Sequence, residues 1–319
     1  MANRHIPVLL DEEIKLLDPK PNQNFIDCTI GGGGHAEEIL KKTSPQGILL
    51  GIDLDEKALA VAYERLKKYK DRVILVHNNF SKLKQISHEF TKLHKISGIL
   101  FDLGLSSFLL EDGSRGFSFQ IDGPLDMRFD KLDTLTANEI LNNWPKQKIA
   151  RILKEYGQEK FSDAIAEKLI DIRKKQKIKN TRQLVETVLL VYREQLKSKK
   201  EIPWVGGIHP ATKTFQALRI AVNDEINVLV RSLPQALEIL EPGGRLAVIS
   251  FHSGEDRIVK NYFRDEAKDC LCPPDLPVCR CGHKARLKIL TKKPVQPTWD
   301  EIKINPRARS AKLRVCQKI

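Results

Sequence analysis

Residues 25 to 40 read FIDCTIGGGGHAEEIL, an apolar run, then four consecutive glycines, then a helix-like pattern with no break between them. Glycine is the residue of tight turns and close backbone approach, so the stretch asks what lies so near the chain that a side chain would obstruct it. A strand ending at Thr29, glycines 31 to 34 and a helix from about His35 make a turn whose N–H groups and helix N-terminus face a nucleotide-like ligand. Gly31, Gly33 and Ala36 also fit the loose dinucleotide spacing, with Asp53 twenty residues beyond Gly33.

Working outward, Phe25–Thr29, Ile48–Asp53, Val73–Val76 and Ile96–Leu103 read as short, β-branched, buried strands. Helical patterns lie between them. In residues 55–69 the apolar Leu59, Ala62, Leu66 and Tyr69 recur at three- and four-residue spacing, with acids opening the segment and lysines closing it. This alternation predicts an α/β fold with right-handed crossovers and a mostly parallel sheet, whose ligands bind beyond the carboxyl ends of the strands.

The rhythm stops near residue 112. Residues 113–130 read as an ordered loop, followed by helical patterns over 137–153, 161–174 and 181–196, a helical insertion. Helix returns from Thr214, EPGG (241–244) reads as a turn, and RLAVISF (245–251) as a further buried strand before another helical pattern. The expected organisation is a discontinuous domain of residues 1–111 and 212–319 around an inserted helical domain of 112–211.

The chain has 319 residues, ordinary globular composition and six cysteines, too few for a disulfide framework in a chain this long. Acids interrupt the N-terminal apolar residues and no run approaches a membrane span, so a cytoplasmic protein without membrane contact is expected. Its net charge of +13 suggests a polyanionic partner, nucleic acid first.

Three acids mark strand ends. Asp53 is placed to accept from ribose hydroxyls, which does not choose between a nicotinamide and an adenosyl-sulfonium cofactor. Asp27, just before the glycines, favours the latter because it can meet a methionine amino group; as a turn-capping residue it would need no ligand. Asp102, in GILFDLGLSS (98–107), ends the fourth strand beside the cofactor crevice, and is readable as a substrate-facing acceptor or as a strand-end cap.

The segments HIPVLLDE, DCTIGGGGHA, GIDLD, DLGLSS, RGFSF, DGPLDMR, HPATKTFQALRIAVNDE, GGRLAVISFHSGEDRIVK and NPRARSAKLR run through nearly the whole length. In them the chain closely resembles the bacterial methyltransferases of the small-subunit (16S) ribosomal RNA cytosine-N4 family. The resemblance implies a Rossmann-like class I S-adenosylmethionine-dependent methyltransferase domain interrupted by a helical domain. It also implies methylation of the 4-amino group of a cytidine in the decoding region of small-subunit ribosomal RNA, within the assembled 30S subunit. Cofactor contacts then fall on Gly33, Gly34, His35, Asp53, Phe80, Asp102 and the position of Leu109, beside Asp27 as read from its place before the glycines. The family has Pro-Gln where this chain has Phe108–Leu109, so Leu109 cannot make the expected side-chain hydrogen bond; a backbone group or water substitutes, or the contact is dispensable.

For methyl transfer to a delocalised amine, Asp102 and nearby backbone carbonyls are the plausible acceptors of N–H bonds, and His252 could take the departing proton, contact the base, or be a structural strand-end histidine. His209 and Arg219 are candidate substrate contacts; His209 could equally be loop structure and Arg219 pair with an acid, Phe80 could be plain core, and His35 a helix N-cap or first-turn residue. A nicotinamide-dependent oxidoreductase and an inactive RNA-binding protein are the competing readings. Residues 280–319 hold twelve Lys and Arg against Asp300 and Glu301, and residues 172–200 hold ten against Glu186 and Glu194. Phosphate binding is the natural use of both, so removing the chain beyond Ile304 is expected to weaken RNA binding and spare cofactor affinity. CLCPPDLPVCRCGH (270–283) places Cys270, Cys272, Cys279, Cys281 and His283 close together. Four thiolates could close a zinc site, or the thiols could be reduced residues of an ordered loop; the resemblance implies no metal.

Overall fold

The computed structural model describes residues 6–105, 109–110, 112–197, 208–273, 276 and 278–319. Ser106, Ser107, Phe108, Lys199 and Lys200, read above from the sequence, lie outside these residues. The chain divides into two compact units, Met1–Ser106 with Ile226–Ile319, and Ser107–Glu225.

The first unit is built on a sheet of seven strands: β1 Asn24–Asp27, β2 Leu49–Asp53, β3 Val73–His77, β4 Ile96–Asp102, β5 Leu240–Ser250, β6 Leu287–Ile289 and β7 Lys312–Lys318. Their order is β3-β2-β1-β4-β5-β7-β6, with the first five parallel and β7 antiparallel to both neighbours. The chain winds one way from β1 to β3 and the other way from β4, so the crevice at the β1/β4 carboxyl ends is the topological switch point where ligands of such sheets bind.

Strand periodicity explains both apolar layers. Ile99 and Phe101 of β4 and Val248 of β5 face a core shared with Leu229, Leu233 and Phe263. The intervening Leu100, Ala247 and Ile249 face a second core with Leu9, Leu17, Ile39, Leu40 and Leu66. That second layer comes from helices α1 Leu10–Leu17, α2 Gly34–Lys42 and α3 Glu56–Leu66. Asp55 caps α3, its side chain accepting from the Lys57 N–H at 3.0 Å.

Three features depart from the sequence reading. EPGG is not a turn before β5 but a bulge inside it: Ile96 lies opposite Leu240 and Gly98 opposite Arg245, with the excess residues looped out where Gly243 takes a φ of 85°. The basic C-terminal stretch contains β6 and the internal strand β7, whose Leu313, Val315 and Cys316 are fully buried. A seven-residue strand rich in Lys and Arg hides its pattern, because only alternate residues are required to be apolar and Arg314 is accommodated by Asp256 (Nε–Oδ1 2.6 Å). The helix Ala211–Asn223, expected with the sheet, falls in the second unit because Phe215, Leu218 and Ile220 are buried on it.

In that second unit the helices Ala137–Asn143, Lys146–Glu155, Ser162–Lys175 and Thr181–Leu196 bury Ile140, Leu153, Ile165, Leu169, Leu184 and Val188. Pro145 splits the single helical pattern of 137–153 into the first two of these. The 113–130 loop is ordered by its own side chains: Arg115 donates to the carbonyls of Arg128 and Phe129, and Arg128 pairs with Asp126 at 2.7 Å.

Candidate active site

The glycine turn follows β1, but its glycines serve the fold as well as any ligand. Gly31 and Gly33 have φ of 51° and 75°, left-handed conformations that favour glycine. At Gly34 a Cβ would stand 2.4 Å from Pro7 Cγ, so what approaches the backbone there is the segment entering α1. The Gly32 carbonyl accepts from Arg65 of α3 at 3.2 Å. The Gly31 N–H donates to Asp53 Oδ2 at 2.8 Å, while Asp53 Oδ1 accepts from the Asp55 N–H at 2.9 Å. Asp53 thus fixes the turn while keeping unused lone pairs. Burial pushes its carboxyl up from 3.8 to about 6 against those backbone donors.

At the mouth of β1 and β4 four ionisable groups converge. His35, the second residue of α2, lies between Glu13 (Nδ1–Oε2 3.3 Å) and Asp102 (Nε2–Oδ2 3.7 Å). Asp102 is held by its backbone, its N–H donating to Thr29 Oγ1 at 2.6 Å. Asp102 Oδ1, Glu13 Oε1 and His35 Nε2 are buried without a hydrogen-bond partner among the described residues. Asp27 is 1% exposed and accepts the Thr29 N–H at 3.1 Å. Burial raises Asp27 to about 7 against the opposing charge of His35, with Asp102 and Glu13 adding to the rise. Asp102 is raised to about 6, again chiefly by burial and against His35, with Glu13 and Glu255 adding. For His35 burial works against the charged ring, yet the hydrogen bond and charge of Glu13, then Asp102 and Asp27, carry it from 6.5 up to about 9. Three carboxyls against one imidazolium leave this pocket with surplus negative charge and an unsatisfied acceptor, an environment complementary to a cation.

Glu13 is the residue sequence reasoning missed. Its signal is present, since Leu9, Glu13 and Leu17 recur at four-residue spacing and place an acid on the apolar face of α1. Because the folded pKa of His35 lies above its unfolded value, its stabilising contribution is complete below about 6.5 and is lost as pH rises through about 9. Glu13→Gln should therefore bring His35 down by at least one pKa unit in an NMR titration of its ring protons; an unmoved titration would remove Glu13 as the controlling partner.

Among the other sequence candidates, Phe80 is part-buried and packs edge-on to Phe101 with ring centroids 5.3 Å apart. His252 caps the helix Ser253–Glu266: its Nδ1 accepts from the Gly254 and Glu255 N–H groups, and Glu255 Oε2 accepts back from the N–H groups of Phe251 and His252. Its Nε2 lies 3.1 Å from Glu255 Oε1. Within the second unit, Arg219 forms a two-point pair with Glu225, both bonds 2.8 Å, the acid-paired alternative. His209 accepts the Ala211 N–H at 3.1 Å and stacks on Phe119, and burial lowers its pKa. Leu109 is buried at 6% exposure.

The profile of the MraW methylase family matches residues 2–319. A protein of Heliobacterium mobile named Ribosomal RNA small subunit methyltransferase H is 50% identical over 319 residues, covering 100% of both chains. One of the same name from Symbiobacterium thermophilum is 48% identical over 322 residues, covering 100% of this chain and 98% of its own. A full-length match of this kind, on a sheet whose switch-point crevice gathers Asp27, His35 and Asp102, leaves no place for a nicotinamide oxidoreductase: the chain belongs to the MraW methylase family.

Proposed function

We propose that the protein transfers a methyl group from S-adenosylmethionine to the exocyclic 4-amino group of a cytidine in small-subunit ribosomal RNA, presented by the 30S subunit. The observation that carries this reading is the acidic pocket at the β1/β4 switch point, where Asp102 has a buried, unpaired oxygen. The same pocket is the fit test for the cofactor: surplus carboxylate suits a ligand bearing sulfonium and ammonium charges. Asp27 would hold the amino group, Asp53 the ribose hydroxyls, the Gly33–Gly34 turn and His35 the amino-acid end, and Phe80 the adenine.

When bound, the cofactor supplies an electrophilic methyl carbon. The protein's task is to hold a poor nucleophile against it. The cytosine amine has its lone pair drawn into the ring; Asp102, accepting an N–H bond, favours the rehybridised amine and lines it up. His35, charged between Glu13 and Asp102, keeps that carboxylate ionised at neutral pH. Once the new N–C bond has formed, the amine's surplus proton passes to a neighbouring acceptor or water. With its Nδ1 lone pair occupied as a helix cap, a neutral His252 carries its hydrogen on Nε2, toward Glu255, and has no free lone pair for such a proton.

The RNA reading rests on the relatives' names and on surface charge: Lys284, Lys288, Lys292, Lys293 and Arg309 are all exposed. The target amine must be unpaired, so the base is presented from a single strand or flipped out. No helix among the described residues is long and apolar enough to cross a membrane. The direct test is labelled methyl transfer into unmodified 30S subunits and into naked RNA, followed by nucleoside analysis. N4-methylcytidine is expected from the subunit; label confined to another nucleoside overturns the proposal.

Asp53→Ala should weaken S-adenosylmethionine binding by about 1–3 kcal/mol for the lost acceptor, more if the Gly31 turn loosens. Isothermal calorimetry on the folded variant reads this directly, and wild-type affinity would place Asp53 outside the cofactor site.

A further inference from the structure

Between the helix Ser253–Glu266 and β6 the chain makes a surface loop carrying four of the six cysteines. The Sγ atoms of Cys270, Cys272, Cys279 and Cys281 all lie within 4.8 Å of one another. Three of the separations are 3.4 Å (Cys270–Cys279), 3.8 Å (Cys270–Cys281) and 3.6 Å (Cys279–Cys281), and all four residues are free thiols. No part of the methyl-transfer site uses them.

We propose that these four cysteines bind one zinc ion as a closed tetrathiolate site. With Zn–S bonds of about 2.3 Å, a tetrahedron has sulfur-to-sulfur edges of about 3.8 Å, the spacing this loop presents. An iron–sulfur cluster does not fit, because its thiolates stand on the corners of a metal–sulfide body and cannot crowd this closely. Backbone donors complete the argument. The Leu271 N–H points to Cys281 Sγ at 3.3 Å, the Cys272 N–H to Cys270 Sγ at 3.4 Å and the Arg280 N–H to Cys272 Sγ at 3.3 Å. Donors aimed at sulfur favour thiolate and orient it, the outer-shell pattern of metal-bound cysteine. Gly282, at φ 63°, provides the left-handed turn directly after the last ligand. Arg280 and Lys284 flank the last ligand in sequence, while Lys268 and Arg286 pair with Asp265 and Glu266.

With all four positions filled by protein, the ion has no open coordination site and its role is structural. It ties the two Cys-x-Cys pairs together across the loop and fixes the backbone that bears Arg280 and Lys284. Binding releases protons to solvent as the thiols ionise, and nothing is oxidised or reduced.

The test uses the full chain, purified with reductant from cells supplied with zinc. Elemental analysis should find about one zinc per chain, and refolding with Co²⁺ should give the intense sulfur-to-cobalt absorption and d–d bands of a tetrahedral tetrathiolate. Cys279→Ser should lose the metal, Cys279→His should retain it, and both should bind S-adenosylmethionine as the parent does. In the serine variant, amide exchange over 268–286 should accelerate by about tenfold or more. Zinc-free protein with four rapidly reactive thiols and no cobalt spectrum would overturn the site. So would a Cys279→Ser variant with undiminished zinc, or the visible colour of an iron centre in the native protein.

Discussion

Asp102→Asn should slow single-turnover methyl transfer by about ten- to a thousandfold, the range that about 1.4–4 kcal/mol of lost transition-state stabilisation produces. The substitution keeps size and one acceptor oxygen but removes the charge, and it can turn an N–H donor toward the amine. Its partners sharpen the expectation: with no carboxylate 3.7 Å away, His35 keeps Glu13 and, more weakly, Asp27 as counter-charges. Cofactor affinity has to be measured beside the rate, and RNA affinity should change least. Full recovery at saturating S-adenosylmethionine would make Asp102 a cofactor ligand alone, and wild-type behaviour throughout would leave it a strand-end cap. The wild-type rate should also fall as pH drops through about 6, where the raised Asp102 carboxyl takes up its proton, and the asparagine variant should lack that limb. The stability effect has the opposite sense. A carboxyl bound more tightly to its proton in the folded state makes folding less favourable as pH rises from 3.8 towards 6.

Truncation after Ile304 should abolish folding of the sheet-containing unit rather than trim an RNA-binding tail. The cut removes β7, which lies between β5 and β6 and buries Leu313, Val315 and Cys316. Losing these side chains forfeits about 1.5–3 kcal/mol for each large one, and the sum with the broken ladder rivals the ~5–15 kcal/mol that holds a typical domain together. Asp256, paired with Arg314 at 2.6 Å and near Lys312 at 3.6 Å, would lose both partners. Circular dichroism and calorimetry of the shortened chain decide the matter: a cooperative transition with intact cofactor binding would restore the tail reading. Arg307→Ala/Arg309→Ala, which leaves β7 in place, is the proper probe of phosphate contact there.

Six of the seven strands have enough β-branched or apolar residues to suggest themselves, or are too short to matter; KLRVCQK has only Leu313, Val315 and Cys316 among four polar residues, and its charge hides its period. β1, β2, β4 and β5 are legible because parallel strands buried on both faces read as continuous apolar runs, whereas β3, an edge strand with Ile74 exposed, is legible only from its β-branched residues. The strand-end acids were legible for the same reason, as carboxylates that close such runs. Glu13 was not, because it sits on a helix and meets His35 only through folding. Arg219 and His252 show the limit from the other side: residue type allows a substrate role, whereas their observed partners, Glu225 and the N-terminus of a helix, are local.

The discontinuity of the first unit has a consequence during synthesis. Residues 107–225 form a contiguous unit and can complete their core as soon as they clear the ribosome. β1 to β4 emerge before them, yet β5 and β7 follow after, and β7 comes about ninety residues beyond Glu225. At ordinary elongation rates the older half-sheet waits on the order of 5–20 s from the completion of the inserted unit until its last internal strand arrives, with the β4 edge unpaired for part of that time. The nascent protein therefore carries a finished helical unit beside an open parallel sheet, the interval in which it most needs a chaperone and in which slowing translation does least to help.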